Sequence, residues 1–261
     1  MRKILLIGVG AGDPGHVTFQ AAKAICAADV VFLPDKGAQK AALHDHRLAI
    51  LDRYRKGPAP RLVEFRARER ANRAREQTKD FAQYRDDVTD WHDAIAGDYE
   101  DMFARELGGE EIGAFLIWGD PTLYDSTLRI LDAVRARGKV PFDYEIIPGI
   151  SSVQALCARH KIALNEIGEP ALITTGRRLR EEGFPARPDT AVVMLDGDTA
   201  FDALADENFD IYWSANLGRP EEASLSGPLP ALADSIKLAR KIARETAGFV
   251  MDVYLLRRRR G

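Results

Sequence analysis

The chain has 261 residues, 46% of them hydrophobic and 30% charged, with a formal net charge of −3. These fractions belong to an ordinary folded protein and exclude the disordered and fibrous classes, and the length suits one large α/β domain or two smaller ones. The near-neutral charge gives no general attraction to nucleic acid, and the longest apolar runs, residues 4–9 and 115–118, are too short to cross a bilayer.

Short aliphatic runs alternate with longer helical patterns along the chain, which predicts an α/β protein. Met1-Arg2-Lys3 leads straight into a strand over 4–8, without the pattern of a signal peptide. Further strands are expected over 30–33, 62–65, 114–118 and 144–147. Thr18 is placed to cap a helix reaching Ala28, Ser126 to cap 127–137 before Gly138, and Ser151 or Ser152 to cap 153–160. Residues 64–107 are highly charged and read as two helices forming an excursion from the sheet. Beyond Pro170 come strands at 171–175, 191–195, 211–213 and 249–256 and a helix over 230–245. The reading is therefore two domains, 1–165 with the charged helical insertion at 64–107, and 166–261. Cys26 and Cys157 lie in apolar helical patterns without metal-ligand spacing, so they read as reduced, buried residues of a cytoplasmic protein, and no metal site is expected.

After the first strand comes Gly8-Val9-Gly10-Ala11-Gly12-Asp13-Pro14-Gly15. Its later part matches the glycine fingerprint of dinucleotide sites, with Asp35 at the distance of a ribose-binding acid. That reading is weak. A dinucleotide turn opens directly into its helix so that the helix amides face the pyrophosphate. Here Asp13-Pro14 occupies that place and the helix waits until Thr18.

Two further loops follow strands: Gly119-Asp120-Pro121-Thr122-Leu123-Tyr124 and Pro148-Gly149-Ile150-Ser151-Ser152. In a parallel sheet such loops gather at the carboxyl ends of the strands, where ligands bind. They carry small residues and hydroxyls and no Lys or Arg, which suits a zwitterionic ligand better than a polyphosphate. Together, and in this order, the three loops resemble the pattern of the tetrapyrrole methylases. The likeness runs from Lys3 to about Arg258. Residues 118–129 are most similar to members that lose an acetyl group while methylating a cobalamin precursor.

The resemblance implies a two-domain α/β fold, with a mostly parallel N-terminal sheet flanked by helices and a smaller C-terminal mixed-sheet domain. It implies S-adenosylmethionine as methyl donor, S-adenosylhomocysteine as product, a tetrapyrrole substrate and a homodimer, with cofactor and substrate in the cleft between the domains. Carried across, Pro14 lies in the first loop. Trp118, Gly119, Asp120 and Leu123 face the methionine and ribose part of the cofactor, and Ser151 and Ser152 bind it through backbone and hydroxyl. Leu195 or Asp196, and Ala215 with the residues up to Gly218, hold adenine by main-chain contacts. Asn216-Leu217-Gly218-Arg219 departs from the N-G-T pattern common in the family.

Acetyl loss requires a base to activate water and donors for the developing oxyanion. Asp35, Asp13, His16 and Asp120 are the base candidates and Tyr124 a donor. His44, His46 and His92 read as solvated, and His160 as closing a helix. A substrate with many carboxylates calls for arginine. Arg66, Arg70 and Arg73 share one helical stripe if that segment is helical, though a solvated face paired with Glu69 and Glu76 is the favoured reading of them. Arg129, Arg177 and Arg178 are alternatives, and residues 257–260 read as a solvated tail. Two other functions remain in view. One is the same fold acting on another tetrapyrrole, an RNA or a protein; the other is a nucleotide-binding module without catalysis.

Overall fold

The structure is a computed structural model and describes residues 1–35, 41–66, 68, 81–204 and 208–259. They form two compact units: Met1–Gly10 with Val17–Gly149, and Ala11–His16 with Ile150–Gly261. Among the described residues no helix is long and apolar enough to cross a membrane.

The first unit is a five-stranded parallel sheet of β1 (Arg2–Gly8), β2 (Val30–Asp35), β3 (Arg61–Arg66), β4 (Ile112–Ile117) and β5 (Phe142–Ile147), in the order β3-β2-β4-β1-β5. Its strands read as unbroken apolar runs because helices cover both faces. Ile4, Leu6, Val30 and Phe32 face one side, against α3 (Phe81–Glu106) and α4 (Thr127–Arg137). Leu5, Ile7, Val31 and Leu33 face the other, against α1 (Phe19–Ala27) and α2 (Ala41–Tyr54). The expected caps are present at α1, where Thr18 Oγ1 accepts from Ala21 N, and at the end of α4, where Gly138 has φ 72°. At the start of α4 the Thr127 amide donates to Asp125 (2.8 Å), and Ser126 contributes no side-chain bond.

The charged segment needs correcting. Residues 61–66 form the strand expected over 62–65, but α3 runs unbroken for 26 residues and packs on the sheet instead of standing apart from it. Its C-terminal half buries Ile95, Ala96, Tyr99, Met102 and Phe103 against the sheet. Those residues recur at helical spacing, but the charges between them hide the stripe. Residue 67 and residues 69–80, with Arg70 and Arg73, lie outside the described residues.

The second unit holds β6 (Leu172–Thr175), β7 (Thr190–Met194), β8 (Phe209–Ala215), β9 (Ala223–Pro228) and β10 (Asp252–Arg258), in the order β6-β7-β10-β8-β9. Only β6 and β7 run parallel, so the sheet is mixed. One face is covered by α7 (Leu229–Ala247) and α6 (Gly176–Glu182), while α5 (Ser152–His160) packs against β8 and β10. The arginine tail also needs correcting. Arg257 and Arg258 belong to β10: Arg257 bonds to the Ala163 carbonyl (2.7 Å) and pairs with Glu166 (3.1 Å). Arg258 lies over the rings of Phe184 and Phe209. Arg260 lies outside the described residues.

Phe103 is fully buried and meets the rings of Phe32, Phe115 and Phe142. Phe103→Ala should lower stability by about 3–5 kcal/mol in urea unfolding, the usual cost of deleting a core aromatic. A loss below about 1 kcal/mol would show that α3 is not part of this core.

Candidate functional site

In the first unit the chain leaves β1 toward β2 and leaves β4 toward β5, although β1 and β4 are neighbours. The two connections run to helices on opposite faces of the sheet, the arrangement that offers a crevice at the carboxyl ends of such a strand pair. The crevice floor is backbone. Gly119 N donates to the Gly10 carbonyl (2.8 Å), and Gly10 N to that of Gly119 (3.3 Å). A Cβ on Gly8 would stand 2.5 Å from Gly149 N, and one on Gly149 would overlap the Gly119 carbonyl. The ends of β1, β4 and β5 thus touch main chain to main chain, which only glycine permits.

Asp120 stitches this floor together. Its carboxylate accepts from Gly149 N (2.9 Å), Thr122 N (2.8 Å) and the Thr122 hydroxyl. Partial burial opposes its charge, but the bonds from Thr122 and Gly149 outweigh that and hold its pKa below the usual carboxylate value. It is therefore a clamp and a poor base. Leu123 N donates to the Asp120 carbonyl (3.2 Å), and Tyr124 follows with φ 53° and its side chain 42% exposed.

Trp118 lies beside Gly119 and against His46 of α2, with ring centroids 4.9 Å apart. His46 is half-buried, which corrects its reading as a solvated residue. The neighbouring Arg47 is buried and donates to the Leu116 carbonyl at the end of β4 (3.0 Å). Burial pulls its pKa down against the fields of Asp125 and Tyr99. His92 is also buried, beside Trp91, while His44 sits 3.5 Å from Glu64. Asp35 ends β2 and pairs in register with Arg66 of β3, both exposed. Asp35, Trp118, Gly119, Asp120, Leu123 and Tyr124 therefore share the carboxyl-end side of one sheet.

The remaining predicted residues belong to the second unit. Asp13 Oδ1 accepts from Gly15 N (2.7 Å), and Pro14–His16 form one tight turn. Gly218 packs so closely on Asp13, and Gly12 on the Leu217 carbonyl, that neither glycine has room for a Cβ. Ser151 caps α5 in a reciprocal box with Gln154, so its hydroxyl serves the helix, and Ser152 is the first helical residue. Leu195 is 65% exposed with φ 53°. Asp196 is buried and accepts from Ala200 N (2.7 Å), Asp198 N (3.1 Å) and Tyr254 Oη (2.7 Å), while its carbonyl accepts from Arg240 (2.5 Å). Ala215 is buried at the end of β8, between its register partners Asp252 and Ala223. The next residue, Asn216, is buried with φ 53°. Tyr124, Leu195 and Asn216 thus hold left-handed backbone, a strain that gathers at functional positions.

Sequence reasoning missed Asn216 as a side chain, His46 beside Trp118, and Arg219. The break in the N-G-T pattern was the available signal for Asn216 and Arg219; nothing in the sequence brings His46 to Trp118. Arg177 and Arg178 pair with Glu181 (2.7 Å) and Glu182 (2.6 Å) on their own helix, and Arg129 is exposed on α4. Both cysteines are free and only partly buried. Among the described residues no cluster of His, Cys, Asp or Glu is arranged to hold a metal.

The profile of the Tetrapyrrole (Corrin/Porphyrin) Methylases matches residues 3–233. The chain is 49% identical over 258 residues to a precorrin-6A synthase [deacetylating] from Sinorhizobium sp, covering 99% of this chain and 96% of that one. A crystal structure of CobF from Corynebacterium diphtheriae, described as related to cobalamin synthesis, superposes with a TM-score of 0.81 at 33% identity, over 98% of each chain. A uroporphyrin-III C-methyltransferase from Thermus thermophilus, solved with its S-adenosyl homocysteine, shares the fold at 18% identity and a TM-score of 0.56, over 97% of this chain and 96% of that one.

The clamp predicts a pH signature. Because the folded pKa of Asp120 lies below its unfolded value, its contribution is complete above the unfolded pKa and fades as pH falls through the folded one. Asp120→Asn should cost about 1–3 kcal/mol in urea unfolding at pH 7, as for lost hydrogen bonds to a charged group. The gap from wild type should narrow below about pH 4. A gap that stays constant down to pH 2 would count against the clamp.

Proposed function

The chain belongs to the tetrapyrrole (corrin/porphyrin) methylases, and we propose that it methylates precorrin-5 from S-adenosylmethionine and releases the acetyl group as acetate, giving precorrin-6A in cobalamin biosynthesis. The observation that carries this reading is the identity to the deacetylating synthase across nearly the whole of both chains. The reading includes a homodimer, as the family resemblance implies, and a cytoplasmic location, as the two unpaired cysteines suggest.

The residues present suit an S-adenosyl ligand. The strand ends are walled by glycine backbone at Gly8, Gly119 and Gly149, and loops 8–15 and 119–124 carry no cation that a polyphosphate would require. In the second unit Asn216 Nδ2 is buried without a hydrogen-bond partner among the described residues. Trp118, Gly119, Asp120 and Leu123 would adjoin the methionine and ribose part, and Pro14, Ser151 and Ser152 would flank the ligand by backbone. Leu195, Asp196 and Ala215 would meet adenine by main chain. Asp196 acts only through its backbone, since its carboxylate is spent on Tyr254 and two amides. When bound, the cofactor supplies a methyl group on a sulfonium whose positive charge disappears in the transfer.

The chain's task in that step is alignment, which rigid strand ends provide. Acetyl removal needs more. A carboxylate must take a proton from water as it attacks the acetyl carbonyl, and a donor must meet the developing oxyanion. Asp120 is too heavily bonded to serve, and Asp13 Oδ1 already holds Gly15 N. Asp35, exposed at the end of β2, is the proposed base, and Tyr124 the proposed donor.

Incubation with methyl-labelled S-adenosylmethionine and precorrin-5 should yield labelled product and acetate in equal amounts. Asp35→Asn should slow acetate release about a hundredfold or more, with S-adenosylhomocysteine affinity unchanged in calorimetry. Methylation without acetate would place the chain at another step, and an unchanged rate would pass the base role to Asp13 or His16.

A further inference from the structure

Three side-chain nitrogens of the second unit are buried without a hydrogen-bond partner among the described residues: Asn216 Nδ2, Arg219 Nη1 and His16 Nδ1. They lie on two loops that pack backbone against backbone, Gly12 on Leu217 and Gly218 on Asp13. The turn 216–219 is closed by Arg219 N donating to the Asn216 carbonyl (3.0 Å), so Asn216 and Arg219 stand at its two ends. Both lean on the same neighbouring segment. Met251 N donates to Asn216 Oδ1 (3.1 Å), and the Arg219 guanidinium lies 5.4 Å from the centre of the Phe249 ring. The Arg219 side chain is only 8% exposed, and among the described residues its charge pairs with Glu221, Nε to Oε2 (3.3 Å).

A buried donor without an acceptor costs more than an ordinary hydrogen bond contributes, so native chains seldom keep one without a partner. Asn216 Nδ2 and Arg219 Nη1 can only donate, and one of them carries a full charge. The missing partner is therefore an acceptor and an anion. A planar guanidinium fork backed by an aromatic face selects carboxylate or phosphate. The reaction proposed above offers carboxylates on both reactants and a phosphate on neither. Resting on that reading, we propose that Arg219 and Asn216, with His16 on the loop that packs against theirs, form a carboxylate-binding site in the second unit. The carboxylate comes either from an acid side chain of the tetrapyrrole or from the amino-acid end of the cofactor.

The test uses Arg219→Met in the full chain, with two probes: S-adenosylhomocysteine, and 5′-methylthioadenosine, which lacks the amino-acid end. If the cofactor supplies the carboxylate, the substitution weakens S-adenosylhomocysteine binding about ten- to a hundredfold and leaves methylthioadenosine unaffected. If the tetrapyrrole supplies it, both affinities hold and KM for the tetrapyrrole rises by a similar factor while kcat changes little. Should Arg219→Met lower the urea midpoint, Arg219→Lys keeps stem and charge but not the fork, and should lose about tenfold on the same ligand. Unchanged affinities and unchanged KM in a folded variant would overturn the site. Failure of the wild type to bind S-adenosylhomocysteine would instead overturn the methylase reading.

Discussion

The first unit depends on three strands ending where their backbones touch. Gly8 and Gly149 have no room for a Cβ against each other and the Gly119 carbonyl at the ends of β1, β4 and β5, and Asp120 ties the β4 loop to the β5 loop through Gly149 N. A parallel sheet whose neighbouring strands send their connections to opposite faces offers a crevice at that point in any case. Closing its floor to backbone distance makes the crevice rigid. A rigid floor is what an in-line transfer needs, since misplacing reacting groups by about 1 Å costs on the order of a hundredfold in rate. The apolar layers on the two faces, with Phe32, Phe103 and Phe115 on one and Leu33 and Ile50 on the other, fix the strands that carry the three loops.

The second unit meets the same need for rigidity by burying polar groups. Asp196 accepts from Tyr254 and two amides, and Gly176 lies against it without space for a side chain. Arg240 joins the Asp196 carbonyl to Asp252, whose carboxylate also receives Trp213 Nε1 (3.1 Å). Burial raises the pKa of Asp252, with Arg240 and Trp213 opposing the rise. A network so fully paired defines one arrangement of the sheet edge where β7 and β8 end. Asn216 and Arg219, at the end of β8, are the exception, and that contrast is why their unmatched donors point to a ligand.

The two arginine-rich stretches show how a composition-level reading goes astray. Clustered arginines at a chain end look solvated, yet Arg257 and Arg258 bond to carbonyls as members of β10, and Arg258 also lies over two aromatic rings. Arg177 and Arg178 look available for a substrate, yet each is matched by a glutamate one turn on. Among the described residues, Arg219, which stands alone in the sequence, is the arginine held beneath the surface with a donor to spare.

Nine of the ten strands described, all but β9, together with the glycines after β1, β4 and β5 and the caps at Thr18, Gly138 and Ser151, were legible in the sequence, because local backbone chemistry fixes each of them. Three loops of small residues after three strands were enough to point to the ligand class and the family. The sequence could not show that α3 is core, since its apolar residues are spread among charges over seven turns. It could not show that the carboxylates of Asp120 and Asp196 are spent on clamping the backbone, nor that His46 lies on Trp118. Each of those facts depends on which distant amide or ring the fold brings within about 3–5 Å. Spacing along a chain determines which groups share a face of one element. Only packing between elements decides which of them are already satisfied and which still need a partner.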